Sequence, residues 1–276
     1  MYPFIHIGPV TLGTYGLLVA AALIVAYFVL RADLRRRHLH IDAESIIGIT
    51  GLAGLAGARL YHLLESPAAF LANPLPLLFS TMGFAWYGAL IGGFVALVLL
   101  ARSSRMKMLL MLDVASPAAA LGYGVGRIGC LISGDGDYGI PTSLPWGMSF
   151  PNGLVPTTER VHPTPIYEFL AALVIAHILW RIGRRAVDGQ RLAGEVFAWY
   201  LVFNGVARFL VEFVRINPRS FFGLSNAQAA SVVSVAVGIT LLAAFLPTQS
   251  SRDTQQPTHS GTRRAAKHSK NKETAR

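Results

Sequence analysis

Three arginines stand inside stretches otherwise apolar enough to lie in a membrane: Arg59, Arg127 and Arg208. An ionised Arg at mid-bilayer costs about 2.5–3.5 kcal/mol on insertion scales, so three facing lipid at that depth would cost roughly 7–10 kcal/mol. They must face a bundle interior or a wet cavity. The acids near them at membrane level are Glu168 and Glu212. Asn204, Arg208, Glu212 and Arg215 recur at helical spacing and share one helix face. One reading is an Arg208–Glu212 pair that only neutralises itself. The other follows from the excess of cations over acids: the planar guanidinium fork suits a phosphate, and an anionic ligand would balance the charge.

The elements that must position these groups are membrane spans. Of the 276 residues 53% are hydrophobic and only 14% charged, against roughly 25% charged in soluble domains. A span needs about 20 mainly apolar residues. Seven segments qualify, near 13–31, 45–64, 84–101, 112–131, 165–182, 193–212 and 227–246. The fold class is therefore an all-α polytopic membrane protein of about seven transmembrane helices. The organisation is a membrane domain over 1–246 and a polar, basic tail over 247–276 whose composition predicts disorder.

The formal charge of +10 would suggest nucleic acid in a soluble protein. Here 18 of the 24 Lys and Arg lie in segments 31–44, 101–110, 181–192 and 247–276, and three in the alternate segments. Basic loops stay cytoplasmic, so the N-terminus is outside, the C-terminus cytoplasmic and the number of spans odd. The partner implied is a lipid bilayer, not nucleic acid. The first twelve residues carry no Lys or Arg, so the first apolar stretch reads as a retained span rather than a secretory signal. The single cysteine, Cys130, cannot form an internal disulfide.

These directions bring polar groups to one level. Arg59, Arg127 and Arg208 lie late in spans running outward, and Tyr15, Tyr87 and the pair Tyr167–Glu168 lie early in spans running inward. All fall near the outer face. Between the fourth and fifth spans runs the long extracytoplasmic loop 132–164, rich in Gly and Pro, with Arg127 just before it and Tyr167–Glu168 just after. Loops of this length are often functional or disordered. In the second span Gly48, Gly51, Gly54 and Gly57 read as a packing stripe. There is no internal repeat, P-loop, dinucleotide fingerprint or metal-ligand cluster in the sequence.

The run Gly126-Arg127-Ile128-Gly129-Cys130, continued by Ser133-Gly134 and Tyr138-Gly139, resembles the signature of prolipoprotein diacylglyceryl transferases. His162-Pro163-Thr164-Pro165-Ile166-Tyr167-Glu168 is similar to that family's His-Pro-x-x-x-Tyr-Glu element. Arg208 through Arg215 is similar to its Arg-Phe-x-x-Glu-Phe-x-Arg element, and Leu224-Ser225 with Gln228 to the start of its last helix. The resemblance runs from about Ile7 to the seventh span. It implies a bacterial inner-membrane enzyme that moves the diacylglyceryl group of phosphatidylglycerol to the lipobox cysteine thiol of a prolipoprotein signal peptide. The products are a thioether and glycerol 1-phosphate, the first step of lipoprotein maturation, and the resemblance implies neither a metal nor an organic cofactor.

By position the resemblance makes Arg127 and Arg208 the essential arginines. Tyr15, Arg59, Gly134, Gly139 and Asn204 join them in holding the lipid, with Glu168, Glu212, Tyr167, His162 and Cys130 in support. Tyr87 takes the catalytic place where the family has a histidine, in the run Trp86-Tyr87-Gly88-Ala89-Leu90. Cys130 stands for a family Asn and Asn204 for a family Tyr. A phenol is a weaker base than imidazole near neutral pH, so the departures bear on thiol activation more than on the lipid site. His62, beside Tyr61, is a candidate substitute base. The residues taken singly read more plainly: Cys130 as packing, His162 as a hydrogen bonder fixing the loop, and Glu168 and Glu212 as carboxylates orienting arginines. The alternatives are a paralogue with another acceptor and a non-catalytic lipid-binding membrane protein.

Overall fold

The computed structural model describes residues 2–65, 67–72, 74–78, 85–187, 193–220 and 222–253. The chain opens with a hairpin of β1 (Phe4–Ile7) and β2 (Val10–Gly13), paired antiparallel with Ile7 opposite Val10. It enters α1 (Thr14–Arg36) directly, and the Thr14 hydroxyl donates to the Pro3 carbonyl at 3.0 Å, tying the hairpin to the helix start. Then come α2 (Ala43–Glu65), two short helices α3 (Pro67–Ala72) and α4 (Pro74–Leu78), α5 (Trp86–Ser103) and α6 (Met108–Ser133). A second hairpin, β3 (Met148–Phe150) with β4 (Thr157–Val161), lies in the long loop. The chain ends with α7 (Thr164–Val187), α8 (Glu195–Val211), a 3-10 turn (Glu212–Val214) and α9 (Asn226–Asp253).

Six of these helices are long and apolar enough to cross a bilayer: α1, α2, α6, α7, α8 and α9. The expected third span is the shorter apolar helix α5, whose 18 residues rise about 27 Å at 1.5 Å each, near the lower limit for a span. Helix α9 runs on past residue 247, where the polar, basic tail is expected to start. The backbone stays helical to Asp253, and residues 254–276 lie outside the described residues, as does 79–84 at the expected start of the third span.

Helix α6 is central. It packs along α1 and α7 and against α8, and about half of its apolar stretch is buried. One core cluster joins α1, α2 and α6 through Leu30, Ile46, Met111 and Val114. Another joins α6, α7 and α8 through Ala120, Leu179 and Val196. Two carboxylates order the end of the bundle away from Tyr15. Asp33 takes the Nε–H groups of Arg36 and Arg37, and the Arg36 guanidinium lies 3.9 Å from the Trp180 ring. Asp113 of α6 accepts the backbone N–H groups of Gly194 at 2.7 Å and Phe197 at 2.8 Å, capping α8 from a neighbouring helix.

The second-span glycines divide by task. A Cβ on Gly57 would lie 2.3 Å from the Gly88 carbonyl oxygen, and one on Gly88 would lie 2.2 Å from that of Gly57. Helices α2 and α5 cross backbone to backbone there. Gly54 makes an ordinary approach to α5, Gly51 to Leu23 of α1, and Gly48 meets nothing within 4 Å. An apolar groove of about 890 Å³ opens along this crossing, lined by Gly57, Leu60, Leu64, Ile91 and Val95.

Candidate functional site

The starts of α1 and α7 and the ends of α6 and α8 meet at one end of the bundle. There the Glu168 carboxylate, with only 3% of its side chain exposed, gathers four donors. Its Oε1 accepts the Tyr123 hydroxyl at 2.8 Å and Arg208 Nη1 at 2.5 Å. Its Oε2 accepts Arg127 Nε at 2.7 Å and sits 3.4 Å from Arg215 Nη1. The helices dictate this: Glu168 lies in the first turn and a half of α7, whereas Tyr123 and Arg127 are one turn apart near the end of α6. One α7 side chain therefore meets two from α6 and one from α8.

Arg208 also reaches Glu212 Oε2 through Nη2 at 2.9 Å, the expected pairing one turn along. Glu212 is itself fixed. Its Oε1 accepts Asn217 Nδ2 at 2.6 Å and the Ser225 hydroxyl at 2.8 Å. Ser225 and Gln228 exchange side-chain and backbone hydrogen bonds in a capping box that starts α9. The short Leu224-Ser225-x-x-Gln228 run thus positions a site carboxylate as well as starting a helix.

The loop 132–164 is ordered and supplies a third acid. Asp137 bridges two guanidiniums, Oδ2 to Arg127 and Oδ1 to Arg215. Burial alone would raise its carboxyl, but the Arg127 and Arg215 charges outweigh burial and hold it at about 2. Asp135, half-buried and without such a pair, has its carboxyl raised by burial. Gly134 ends α6 in the left-handed region at φ 59° and ψ 48°, where a side chain is strained. Its Cβ position lies 2.6 Å from Gly153 Cα, and that of Gly139 lies 2.2 Å from the Val214 carbonyl oxygen. Both glycines let chain meet chain: Gly134 within the loop, and Gly139 at a bridge to Arg215. The Tyr138 and Phe150 rings stack at 5.2 Å beneath the hairpin.

Trp146 Nε1 donates to the Tyr167 hydroxyl at 2.8 Å, which lies 3.1 Å from His162 Nδ1. The phenol oxygen accepts from Trp146 and also shares a hydrogen bond with His162, whose tautomer sets which of the two donates. The His162–Tyr167 contact joins the loop to α7. Cys130 is 7% exposed, with Sγ 3.2 Å from Arg127 Nη1. The Tyr15 ring lies against Gly129 of α6, within 3.3 Å of where a Cβ would be.

Three expected members stand apart from this network. Arg59 is buried but turns toward α4, donating to the Leu77 carbonyl. Tyr87 is 53% exposed and faces Tyr61 at 6.4 Å between ring centres; it is not among the partners of Glu168, Glu212 or Asp137 in the described residues. His62 lies 3.7 Å from Glu65 on the exposed end of α2. Asn204 sits one turn before Arg208 on α8.

The expected excess of cations is corrected here. Arg127, Arg208 and Arg215 face Glu168, Glu212 and Asp137, so the resting cluster is balanced. The sequence count missed Asp137 because it lies in the loop rather than at membrane level, and it placed Arg59 where Arg215 stands. Tyr123 was missed too; its signal is its place one turn before Arg127 on the same helix face. Cys130, Asp135 and Asp137 bring ligand-type atoms within 4.8 Å of one another. Of these, Asp137 is bonded to Arg127 and Arg215, and Cys130 Sγ lies 3.2 Å from Arg127 Nη1, so a cation there would meet Arg127.

Residues 3–244 match the family model described as prolipoprotein diacylglyceryl transferase. The chain is 34% identical over 230 residues to the phosphatidylglycerol–prolipoprotein diacylglyceryl transferase of Clostridium tetani, covering 82% of this chain and 90% of that one. It is 35% identical over 251 residues to the enzyme of the same name from Geobacter sulfurreducens, covering 86% and 92%. To the Bordetella parapertussis enzyme it is 34% identical over 230 residues, covering 80% and 84%.

Proposed function

The chain belongs to the prolipoprotein diacylglyceryl transferase family, and from that premise we propose how its arginine cluster serves the transfer. It is a multi-pass bacterial inner-membrane enzyme, a transferase acting on phosphatidylglycerol and a prolipoprotein. The observation that carries the residue-level reading is the set of guanidiniums Arg127, Arg208 and Arg215 around the buried Glu168. Held at fixed positions in a dry setting, guanidiniums stabilise negative charge without reorganising as it develops.

In this reading the phosphate of phosphatidylglycerol lies against Arg127 and Arg208 at the extracytoplasmic end of the bundle. The thiol sulfur of the lipobox cysteine attacks the glyceryl carbon that bears the phosphate. A carbon–sulfur bond forms, the carbon–oxygen bond breaks, the electron pair leaves on the phosphate oxygen, and the thiol proton is released. The products are the thioether-linked diacylglyceryl peptide and glycerol 1-phosphate. Glu168 and Glu212 orient the arginines. Tyr15 lies against the same stretch of α6, where it can border the lipid. Tyr87 is the candidate group for the acceptor side; its neighbour Tyr61 lines the apolar groove between α2 and α5. Asn204 and Arg59 are placed by the reading at the margin of the lipid rather than on its phosphate.

The test gives purified protein phosphatidylglycerol and a lipobox peptide and measures glycerol 1-phosphate and thioether product. Arg127→Ala and Arg208→Ala should each abolish turnover, a loss of at least about two to three orders of magnitude for a lost charge-stabilising donor. Near-normal rates in both variants would refute the site. No turnover by the unmodified protein, with lipid still bound, would refute the transfer itself.

A further inference from the structure

The balance of the resting cluster raises a question of occupancy. The three acids are not alike. Glu168 and Glu212 are sealed, with 3% and 1% of their side chains exposed, whereas Asp137 is 35% exposed and belongs to a loop. Asp137 places one oxygen on Arg127 and the other on Arg215. Two non-bridging phosphate oxygens would span the same pair of guanidiniums. With only the two sealed carboxylates counted against three arginines, one positive charge is left, which suits a single monoanion.

Building on the reading above, we infer that the Asp137 carboxylate occupies the phosphate subsite between Arg127 and Arg215 in the resting protein, and that the phosphodiester of the lipid substrate displaces it. This assigns Arg215, with Arg127, as a direct phosphate ligand. The exchange needs no opening of the loop. The backbone at 137 is pinned: the Thr164 hydroxyl donates to the Asp137 carbonyl, Gly139 N–H to the His162 carbonyl at 2.8 Å, and Ile140 N–H to the Val214 carbonyl at 2.8 Å. Only the side chain must turn, and it already reaches water. The swap conserves charge, because a phosphodiester carries one negative charge as the carboxylate does. The phosphomonoester product carries about −1.5 to −2 at pH 7, its second pKa being about 6. Asp137 returning to the guanidiniums then competes with the product and helps it leave.

The test uses the full-length protein in detergent and the variants Asp137→Asn and Asp137→Ala, with Asp135→Asn as control. The control changes a carboxylate beside Asp137 that bonds neither guanidinium. Binding of glycerol 1-phosphate and of inorganic phosphate is measured calorimetrically on resting protein without acceptor peptide, alongside KM and kcat for phosphatidylglycerol. If Asp137 holds the subsite nine-tenths of the time, its removal tightens phosphate binding about tenfold. The control shifts it less than about threefold, as a nearby charge does through solvent. KM should fall with kcat in the Asp137 variants, because product now lingers.

A tightened KM without tighter free phosphate assigns the displacement to the lipid headgroup alone, and tightening of both assigns it to the phosphate group itself. Equal shifts in the Asp135 and Asp137 variants would overturn the inference, as would weaker binding or failure of both Asp137 variants to fold. Because calorimetry needs no turnover, a phosphate site can be upheld while the transferase reading fails, or the reverse.

Discussion

Replacing Glu168 by Gln removes one charge and almost no volume from the hub of the site. The amide keeps one acceptor oxygen and turns the other into a donor. If the new NH2 took the Oε2 position it would face Arg127 Nε, at 2.7 Å in the parent, and Arg215 as well. At the Oε1 position it faces Arg208 and Tyr123 instead, and a hydroxyl can turn to accept where a guanidinium cannot. The second orientation is therefore expected, with Arg208 losing its 2.5 Å bond while keeping Glu212 at 2.9 Å. Breaking a buried pair by removing one partner costs about 3–5 kcal/mol. The surviving Glu212 contact and the Tyr123 turn recover part of this, leaving about 3 kcal/mol, or roughly two orders of magnitude in an equilibrium or a rate. The assay is kcat/KM for phosphatidylglycerol with a lipobox peptide, together with thermal unfolding in detergent. Values within threefold of the parent in kcat/KM, with an unchanged midpoint, would refute the idea that Glu168 holds the arginines in place.

Two further substitutions test the scaffold. Gly88→Ala puts a methyl 2.2 Å from the Gly57 carbonyl oxygen and should cost about 1–3 kcal/mol by overpacking. Gly93→Ala, with only the Thr50 carbonyl oxygen at 3.8 Å, should be close to neutral; equal melting temperatures for the two variants would contradict the close crossing. Asp113→Ala strips two hydrogen bonds from the start of α8 and should cost about 1–2 kcal/mol, as lost helix caps do. Faster hydrogen exchange at residues 194–198 with an unchanged KM for phosphatidylglycerol is the expected signature, because the cap lies at the end of the bundle remote from Arg208.

Much of this protein is legible locally. Hydropathy along the chain identifies the apolar helices, because a backbone in lipid must satisfy its own hydrogen bonds and so declares itself in runs of about 20 residues. The short ordered motifs point to the family and to Arg127, Arg208, Glu168 and Glu212, and helical spacing predicts the Arg208–Glu212 pair before any tertiary contact is known. What the local pattern cannot carry is which charge answers which. Arg215 and Asp137 are 78 residues apart in the chain and Arg127 and Glu168 are 41 apart. Arg59, similar in sequence setting to the other two membrane-level arginines, turns instead to a backbone carbonyl of α4. Gly134 and Gly139, recognisable as motif glycines, owe their small size to contacts with Gly153 and Val214 that only the folded loop creates. Segment identity follows from composition, since burial in lipid acts on each residue by its own chemistry. The neutral resting state of the site follows from pairing across separate segments, and only the packing of α6, α7 and α8 beneath an ordered loop decides that Asp137, rather than an open pocket, faces Arg127 and Arg215.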